Sequence, residues 1–287
     1  MDATRKTVIV TDSSCDLSDE QLSRYGIRMI SLRIVCQNAE YRDRIDIQED
    51  ELYELLTREL PKTSLPLPED VTSLYESLAQ EGVTDVIHMS ISSGLSGTFN
   101  MVRMITQDFE SRMRVHMVDS RTLSMGLGMM VLAAARALEE GATPEEAIER
   151  AQAVRRNQLG MFVIRTLEFL RKGGRIGKVT GRAANILGIK PSLAVIDGEL
   201  KVVRKYRGSL PICVGKYITD QLANREDIDR SMVFISSTQA KPGCMEAIKA
   251  GLRQYGNFEN VYETDIGTTI GGYSGPGTIG IVFARKQ

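Results

Sequence analysis

Four serines, two glycines and a threonine crowd into SISSGLSGTFN (residues 90–100), between an apolar run, VIHM, and an amphipathic one, FNMVRMI. Hydroxyls set this densely where a strand meets a helix suit a nucleophile turn, a phosphate cradle or an anion seat. A nucleophile elbow needs G-x-S-x-G, and Gly94-Leu95-Ser96-Gly97-Thr98 lacks the second glycine. The two histidines, His88 and His116, lie in VIHMS and VHMVD, apolar runs where a histidine is a core residue more often than a base. A serine-dependent hydrolase, or another small-molecule enzyme using Ser96, therefore stands as the alternative and not the leading reading. The phosphate cradle fares no better. In GGRIGKV (173–179), Lys172 stands where a Walker A motif needs its first glycine and Val179 where it needs Ser or Thr. Asp12, Asp16 and Asp119 fall at or just past strand ends without a histidine pair or thiol cluster, which reads as bracing of turns and not as a metal site. What remains is an anion seat. If Ser96 caps a helix beginning near Gly97, the open amides of its first turn and the positive end of its dipole face outward beside the hydroxyls. Thr63-Ser64 and Tyr273-Ser274-Gly275-Pro276-Gly277 are further hydroxyl-rich turns of the same kind.

These turns need elements to hold them. TVIVTDSS (7–14), IRMISLRIV (27–35), TDVIHMSIS (84–92) and RVHMVDS (114–120) read as strands, separated by helical stretches at 46–60, 71–80, 97–109, 123–138 and 143–157. Ser18 and Gln21 offer a capping box, with Gly26 as the stop. Past residue 158 the alternation loosens. GMFVI (160–164) is a strand, Asp197-Gly198 centres a hairpin within LAVIDGELKVVRKYR, and helices at 211–223 and 243–255 flank a strand at 232–238. The end, 261–284, reads as two strands around a glycine-rich loop. The pattern predicts two α/β domains, 1–157 with a largely parallel sheet and 158–287 with a mixed one. In a parallel sheet, ligand loops gather in the crevice where strand order reverses.

The bulk composition excludes several classes. With 36 basic against 37 acidic residues the net charge is −1, so general nucleic-acid binding is not expected. The four cysteines form no CxxC pair, and MDATRKTVIVTD has no apolar leader core, which points to reduced thiols in a cytoplasmic protein. LSMGLGMMVLAAA (123–135) is too short to span a bilayer, so no stable membrane insertion is expected. No cofactor is implied.

Taken together, TDSSCDL (11–17), TSLP (63–66), SSGLSGT (92–98), VDSRTLSMGLG (118–128), LRKGGRIG (170–177), LGIKPSL (187–193) and GPG (275–277) resemble the DegV family of bacterial fatty-acid-binding proteins, in family order along nearly the whole chain. The resemblance implies a two-domain α/β protein that buries one long-chain fatty acid between its domains. It also implies a non-catalytic role, with the bound acid presented to a separate kinase that phosphorylates the carboxylate. By the same resemblance the carboxylate site maps onto Thr63, Ser64, Ser93, Ser96, Gly97 and Thr98, with Tyr273 and Ser274 as its third element. Tyr273 stands where the family usually has a histidine, exchanging a titratable group for a neutral hydrogen-bond donor. Leu65 and Leu67 replace the family's usual Gln and Ser.

An acyl tail would supply most of the affinity. At about 0.8 kcal/mol per buried methylene, roughly fourteen contribute about 11 kcal/mol before ordering costs. Candidate tail contacts are Met125, Gly126, Met129, Met161 and Ile164, since glycine leaves room and methionine adapts to a flexible chain. The basic cluster KVVRKYR (201–207) makes Arg204, Lys205 and Arg207 candidates for meeting a kinase partner. A binding module for a different small carboxylate is a further alternative.

Overall fold

The computed structural model describes residues 6–36, 39–176, 188–240 and 242–286. The protein consists of two α/β domains and divides into two compact units, Met1–Ile47 with Thr63–Arg156, and Gln48–Lys62 with Asn157–Gln287. A single break near Asn157 does not describe this division, because the excursion Gln48–Lys62 belongs with the second unit.

In the first unit, β1 (Thr7–Asp12) runs into a 3-10 turn at Ser13–Cys15 and then α1 (Asp19–Arg24). The Ser18/Gln21 box caps α1 as its sequence requires, Ser18 Oγ accepting from Gln21 N at 3.2 Å. The apolar run 27–35, expected as one strand, is two: β2 (Arg28–Ile30) and β3 (Arg33–Cys36). β2 pairs with β1 only as far as Ile30, after which Ser13 Oγ takes the Leu32 amide at 3.0 Å and turns the chain away. β3 joins β4 (Ala39–Arg42) and, beyond the excursion that carries α2 (Glu49–Leu56), β5 (Lys62–Ser64) in a small sheet ordered β4-β3-β5. Then follow α3 (Pro68–Gln80), β6 (Asp85–Ser90), α4 (Thr98–Thr106), β7 (Arg114–Asp119), α5 (Met125–Glu139) and α6 (Pro144–Asn157).

The main sheet, β2-β1-β6-β7, is parallel throughout. Strand order reverses between β1 and β6, so the loops leaving those two strands, at 12–16 and 91–97, line the crevice where α/β sheets take ligands. One face of this sheet packs Val10, Ile30 and Val86 against Val71, Tyr75, Leu78 and Val102 of α3 and α4. The other meets α5, which lies close because Gly128 has no side chain: a Cβ there would fall 2.7 Å from the Cys15 carbonyl oxygen.

The second unit holds β8 (Gln158–Val163), α7 (Glu168–Lys172), β9 (Ile189–Ile196), β10 (Glu199–Arg207), α8 (Leu210–Leu222), β11 (Ile228–Ser237), α9 (Pro242–Gly251), β12 (Asn260–Asp265), α10 (Thr268–Ser274) and β13 (Ile279–Arg285). A π-helical turn, Leu252–Gly256, continues α9. The sheet order is β10-β9-β8-β13-β11-β12, antiparallel except for β11–β12, which makes it mixed. The β9–β10 hairpin turns on Asp197 and Gly198, both at positive φ (56° and 83°), as a two-residue hairpin demands. Between β12 and β13 the expected loop is a helix, α10. Its glycines are packing residues: at Gly271 a Cβ would lie 3.1 Å from Tyr53 Oη and 3.3 Å from Leu52 Cδ2, so α2 approaches closely. Glycine inside a helix costs about 1 kcal/mol of conformational entropy, a cost that this close packing offsets.

Candidate functional site

β6 carries the chain up to Ser90, and from there the hydroxyl turn is built one amide at a time. Ile91 N donates to Asp12 Oδ2 at 2.8 Å, Ser92 N to the Thr122 carbonyl at 2.9 Å, and Ser93 N to Asp119 Oδ1 at 3.1 Å. Gly94 N then donates to Ser92 Oγ at 3.2 Å, while Leu95 N and Ser96 N both reach the Ser92 carbonyl. The aspartates of β1 and β7 are thus the pegs on which the turn hangs, in the bracing role their positions suggested. Asp12 is fully buried, and burial raises its carboxyl to about 6 against the amide and hydroxyl donors that hold it. Asp16 receives the Ser124 hydroxyl at 2.5 Å and so ties the β1 loop to the start of α5. Ser124 itself sits at φ 54°, ψ −141°, a backbone state that costs a non-glycine residue about 1–3 kcal/mol.

At the far end of the turn the cap position of α4 is Gly97, not Ser96. Ser96 nevertheless does capping work from one residue earlier: its Oγ accepts from Thr98 N at 3.3 Å and shares a hydrogen bond with Thr98 Oγ1 at 2.8 Å. The remaining first-turn amides of α4 have no partner within the helix. Gly97 is exposed, and the methyls of Leu65 lie 3.6–3.7 Å from where its Cβ would be. The Thr63-Ser64-Leu65 segment at β5 and the Ser96-Gly97-Thr98 turn are therefore neighbours, which sequence spacing alone left open. Ser93 and Ser64 are exposed and Thr63 half-buried.

In the second unit Tyr273 and Ser274 close α10. The Tyr273 ring lies directly over Gly173, where a Cβ would run into it, and the Arg175 guanidinium stands 4.8 Å from its centroid. Gly173 and Gly174 end α7, with Gly174 at φ 73° and Arg175 N returning to the Leu170 carbonyl at 3.1 Å. That is the turn expected from GGRIGKV as far as Ile176; Gly177, Lys178 and Val179 lie outside the described residues. Ser274 Oγ is buried and has no hydrogen-bond partner among the described residues. Gly275, Gly277 and Gly280 also satisfy G-x-G-x-x-G, but here the order is helix to strand, the reverse of a dinucleotide-binding turn.

Neither histidine attends Ser96. His88 Nδ1 pairs with Tyr75 Oη at 2.9 Å inside the core, and His116 Nε2 with Asp85 Oδ1 at 3.1 Å, at the opposite end of β6 from the turn. Of the tail candidates, Met125, Gly126 and Met129 are buried on α5 and Ile164 is buried after β8. Met161 is partly buried and packs against the second unit's own core with Tyr217, Ile281 and Phe283, on the sheet face covered by α8. Strand alternation turns Gly160 and Phe162 to the other face, alongside Gly280 and Val282. Of the basic residues on the edge strand β10, Arg204 is tied to Asp220 at 2.5 Å, while Lys205 and Arg207 are exposed. No group of metal-ligating side chains was found among the described residues, and no described helix is long and apolar enough to cross a membrane.

The comparisons with known proteins agree with this architecture. A family model described as "Uncharacterised protein, DegV family" matches residues 6–286. A DegV domain-containing protein of Clostridium perfringens is 33% identical, over 98% of this chain and 99% of its own. Among solved structures, a DegV family protein from Thermus thermophilus described as fatty acid binding is 29% identical with a TM-score of 0.86, covering 98% of this chain and 100% of that one. A stearic-acid-binding protein from Eubacterium ventriosum is 26% identical with a TM-score of 0.81, covering 97% and 98%. With the family match running almost end to end on the fold and turns described above, this chain belongs to the DegV family.

Proposed function

We propose that this protein is a non-catalytic carrier of one long-chain fatty acid, holding the acid's carboxyl group at the Ser/Thr turns and sheltering its acyl chain. The observation that carries this reading is a pair of hydroxyl loops, Thr63-Ser64 and Ser93–Thr98, side by side at the switch point of a fold whose 29%- and 26%-identical relatives bind fatty acid. The head-group residues are Thr63, Ser64, Ser93, Ser96, Gly97 and Thr98, joined by Tyr273 and Ser274. The tail contacts are Met125, Gly126, Met129 and Ile164, with Gly160, Phe162, Gly280 and Val282 taking the place of Met161. The tail supplies affinity and the turns supply selection. The Ser96 hydroxyl is hydrogen-bonded to that of Thr98 and has no histidine beside it, which disfavours the hydrolase alternative. We further propose that the carrier is cytoplasmic and offers its bound acid to a separate kinase, toward an acyl phosphate for phospholipid synthesis, with Lys205 and Arg207 meeting that partner and Arg204 held beside them by Asp220.

Mass spectrometry of lipid extracted from the purified protein tests the central claim: acids of about C14–C18 are expected. Ligand-free protein that also ignores added hexadecanoic acid would refute it. Replacing Thr63 and Ser96 together by alanine should weaken binding at least about tenfold, since each hydrogen bond to a charged or acidic head contributes about 1.5 kcal/mol or more. Unchanged affinity would move the head group elsewhere.

A further inference from the structure

Both hydrogen-bond donors of Ser93 end on one carboxylate. Its amide reaches Asp119 Oδ1 at 3.1 Å and its hydroxyl donates to Asp119 Oδ2 at 2.6 Å, a charge-assisted bond. Asp119 Oδ1 also accepts from Arg121 N at 3.1 Å, so the carboxylate is pinned from its own loop and cannot easily turn away. A serine hydroxyl has one proton and two lone pairs. With that proton committed, exposed Ser93 presents only lone pairs to whatever arrives. The amides of Gly94, Leu95 and Ser96 are likewise consumed internally, by Ser92. The turn therefore has two halves of opposite character. The Ser93 half offers acceptors, while the α4 half offers donors: the open first-turn amides beyond Thr98 and the one proton that the Ser96–Thr98 hydroxyl pair does not use between themselves.

We propose that Asp119 is a specificity-determining positioning residue, which fixes Ser93 as a hydrogen-bond acceptor so that the turn selects an uncharged acyl head carrying both a C=O and its own donor. The protonated carboxylic acid and the primary amide share this chemistry: the carbonyl oxygen takes the α4 donors and the O–H or N–H enters Ser93. A carboxylate fills only the α4 half, and its second oxygen meets lone pairs backed by the negative charge of Asp119. This inference rests on the fatty-acyl reading above and names which form of the head that site prefers.

The test uses the full chain freed of lipid, with hexadecanoic acid, hexadecanamide and methyl hexadecanoate as probes at pH 8, where the free acid is ionised. In Asp119→Asn, the new side-chain N–H can donate to Ser93 Oγ and release its proton outward. The amide-to-acid affinity ratio should then fall about tenfold from that of the wild type. Removal of a negative charge alone would produce part of this shift, so Ser93→Ala, which keeps Asp119, serves as the second variant. Its affinity for hexadecanamide should drop about tenfold while that for the methyl ester, which has no donor, stays within twofold. A ratio unchanged within twofold in Asp119→Asn, or amide binding unchanged in Ser93→Ala, overturns the proposal. Wild-type protein that binds none of the three probes overturns the fatty-acyl reading itself, which is a separate outcome.

Discussion

Replacing His88 by glutamine should raise the acid side of the protein's stability curve relative to its neutral side. His88 is wholly buried on β6; its Nδ1 meets Tyr75 Oη at 2.9 Å, and its Nε2 has no partner among the described residues. Burial alone pushes its pKa down from 6.5 to about 3, so the folded chain keeps this imidazole neutral while the unfolded chain protonates it. The unfolded state then binds more protons, and stability falls as pH drops from 6.5 toward 3. At pH 4.5 the loss attributable to His88 is about 3 kcal/mol relative to pH 7.5. Asp12 works in the opposite direction. Its carboxyl, raised from 3.8 to about 6, is protonated earlier in the folded state, so the protein gains about 2 kcal/mol from it between pH 7.5 and 4.5. The two nearly cancel in the wild type, and removing His88 uncovers the Asp12 gain. Glutamine retains an acceptor for Tyr75 Oη and does not titrate, so His88→Gln loses packing energy at pH 7.5, about 1–2 kcal/mol. Urea unfolding at pH 4.5, 6 and 7.5 measures the outcome. The stability difference between variant and wild type should shift by about 3 kcal/mol on acidification, so that the variant becomes the more stable of the two at pH 4.5. Two curves that stay parallel over this range would show that His88 is not held neutral by burial.

Gly173→Ala, at an ordinary negative φ, should destabilise by about 1–3 kcal/mol because its methyl enters the Tyr273 ring. A double-mutant cycle with Tyr273→Ala should recover most of that loss; identical costs in both backgrounds would place the strain elsewhere. Gly198→Ala forces a side chain onto φ 83° in the β9–β10 turn, and urea unfolding should show a loss of about 1 kcal/mol.

The first unit was legible because its central strands, β1 and β6, are buried along most of their length and read as continuous apolar runs, each ending in polar turn residues. Asp12-Ser13-Ser14 and Ser92-Ser93-Gly94 leave β1 and β6 on either side of the order reversal, and the sequence shows both as strand-end punctuation. What the sequence hid depends on partners distant along the chain. The run 27–35 is uniformly apolar, and only the capture of the Leu32 amide by Ser13 divides it into strands of different sheets. The helix at Glu49–Leu56 is plain from its periodicity, yet its allegiance to the second unit is decided by the glycines of α10, more than 200 residues away in the chain. Those same glycines disguised α10 as a loop, because local propensity counts their entropy cost and cannot see the helix face they bring close.

The head-group turn carries the sharper lesson. The family resemblance implied Ser93 among the ligands of a carboxylate, a role that a hydroxyl fills when it donates. Whether it does depends on where its proton already goes, and Asp119, 26 positions later, takes both Ser93 donors. An aspartate that braces a turn is an unremarkable assignment from sequence. Here the bracing sets the hydrogen-bond polarity of the residue it braces, so a structural contact becomes a statement about which head group can sit beside it. The same logic applies to Met161 and Phe162. Composition favoured methionine, but in a two-faced strand the residue's parity decides which side it lines, and parity assigns Met161 to the α8 core. If Phe162 and not Met161 meets the acyl chain, Phe162→Ala should weaken binding of hexadecanoic acid more than it destabilises the fold, while Met161→Ala should do the reverse. Equal effects on binding from both would show that strand parity does not decide the lining.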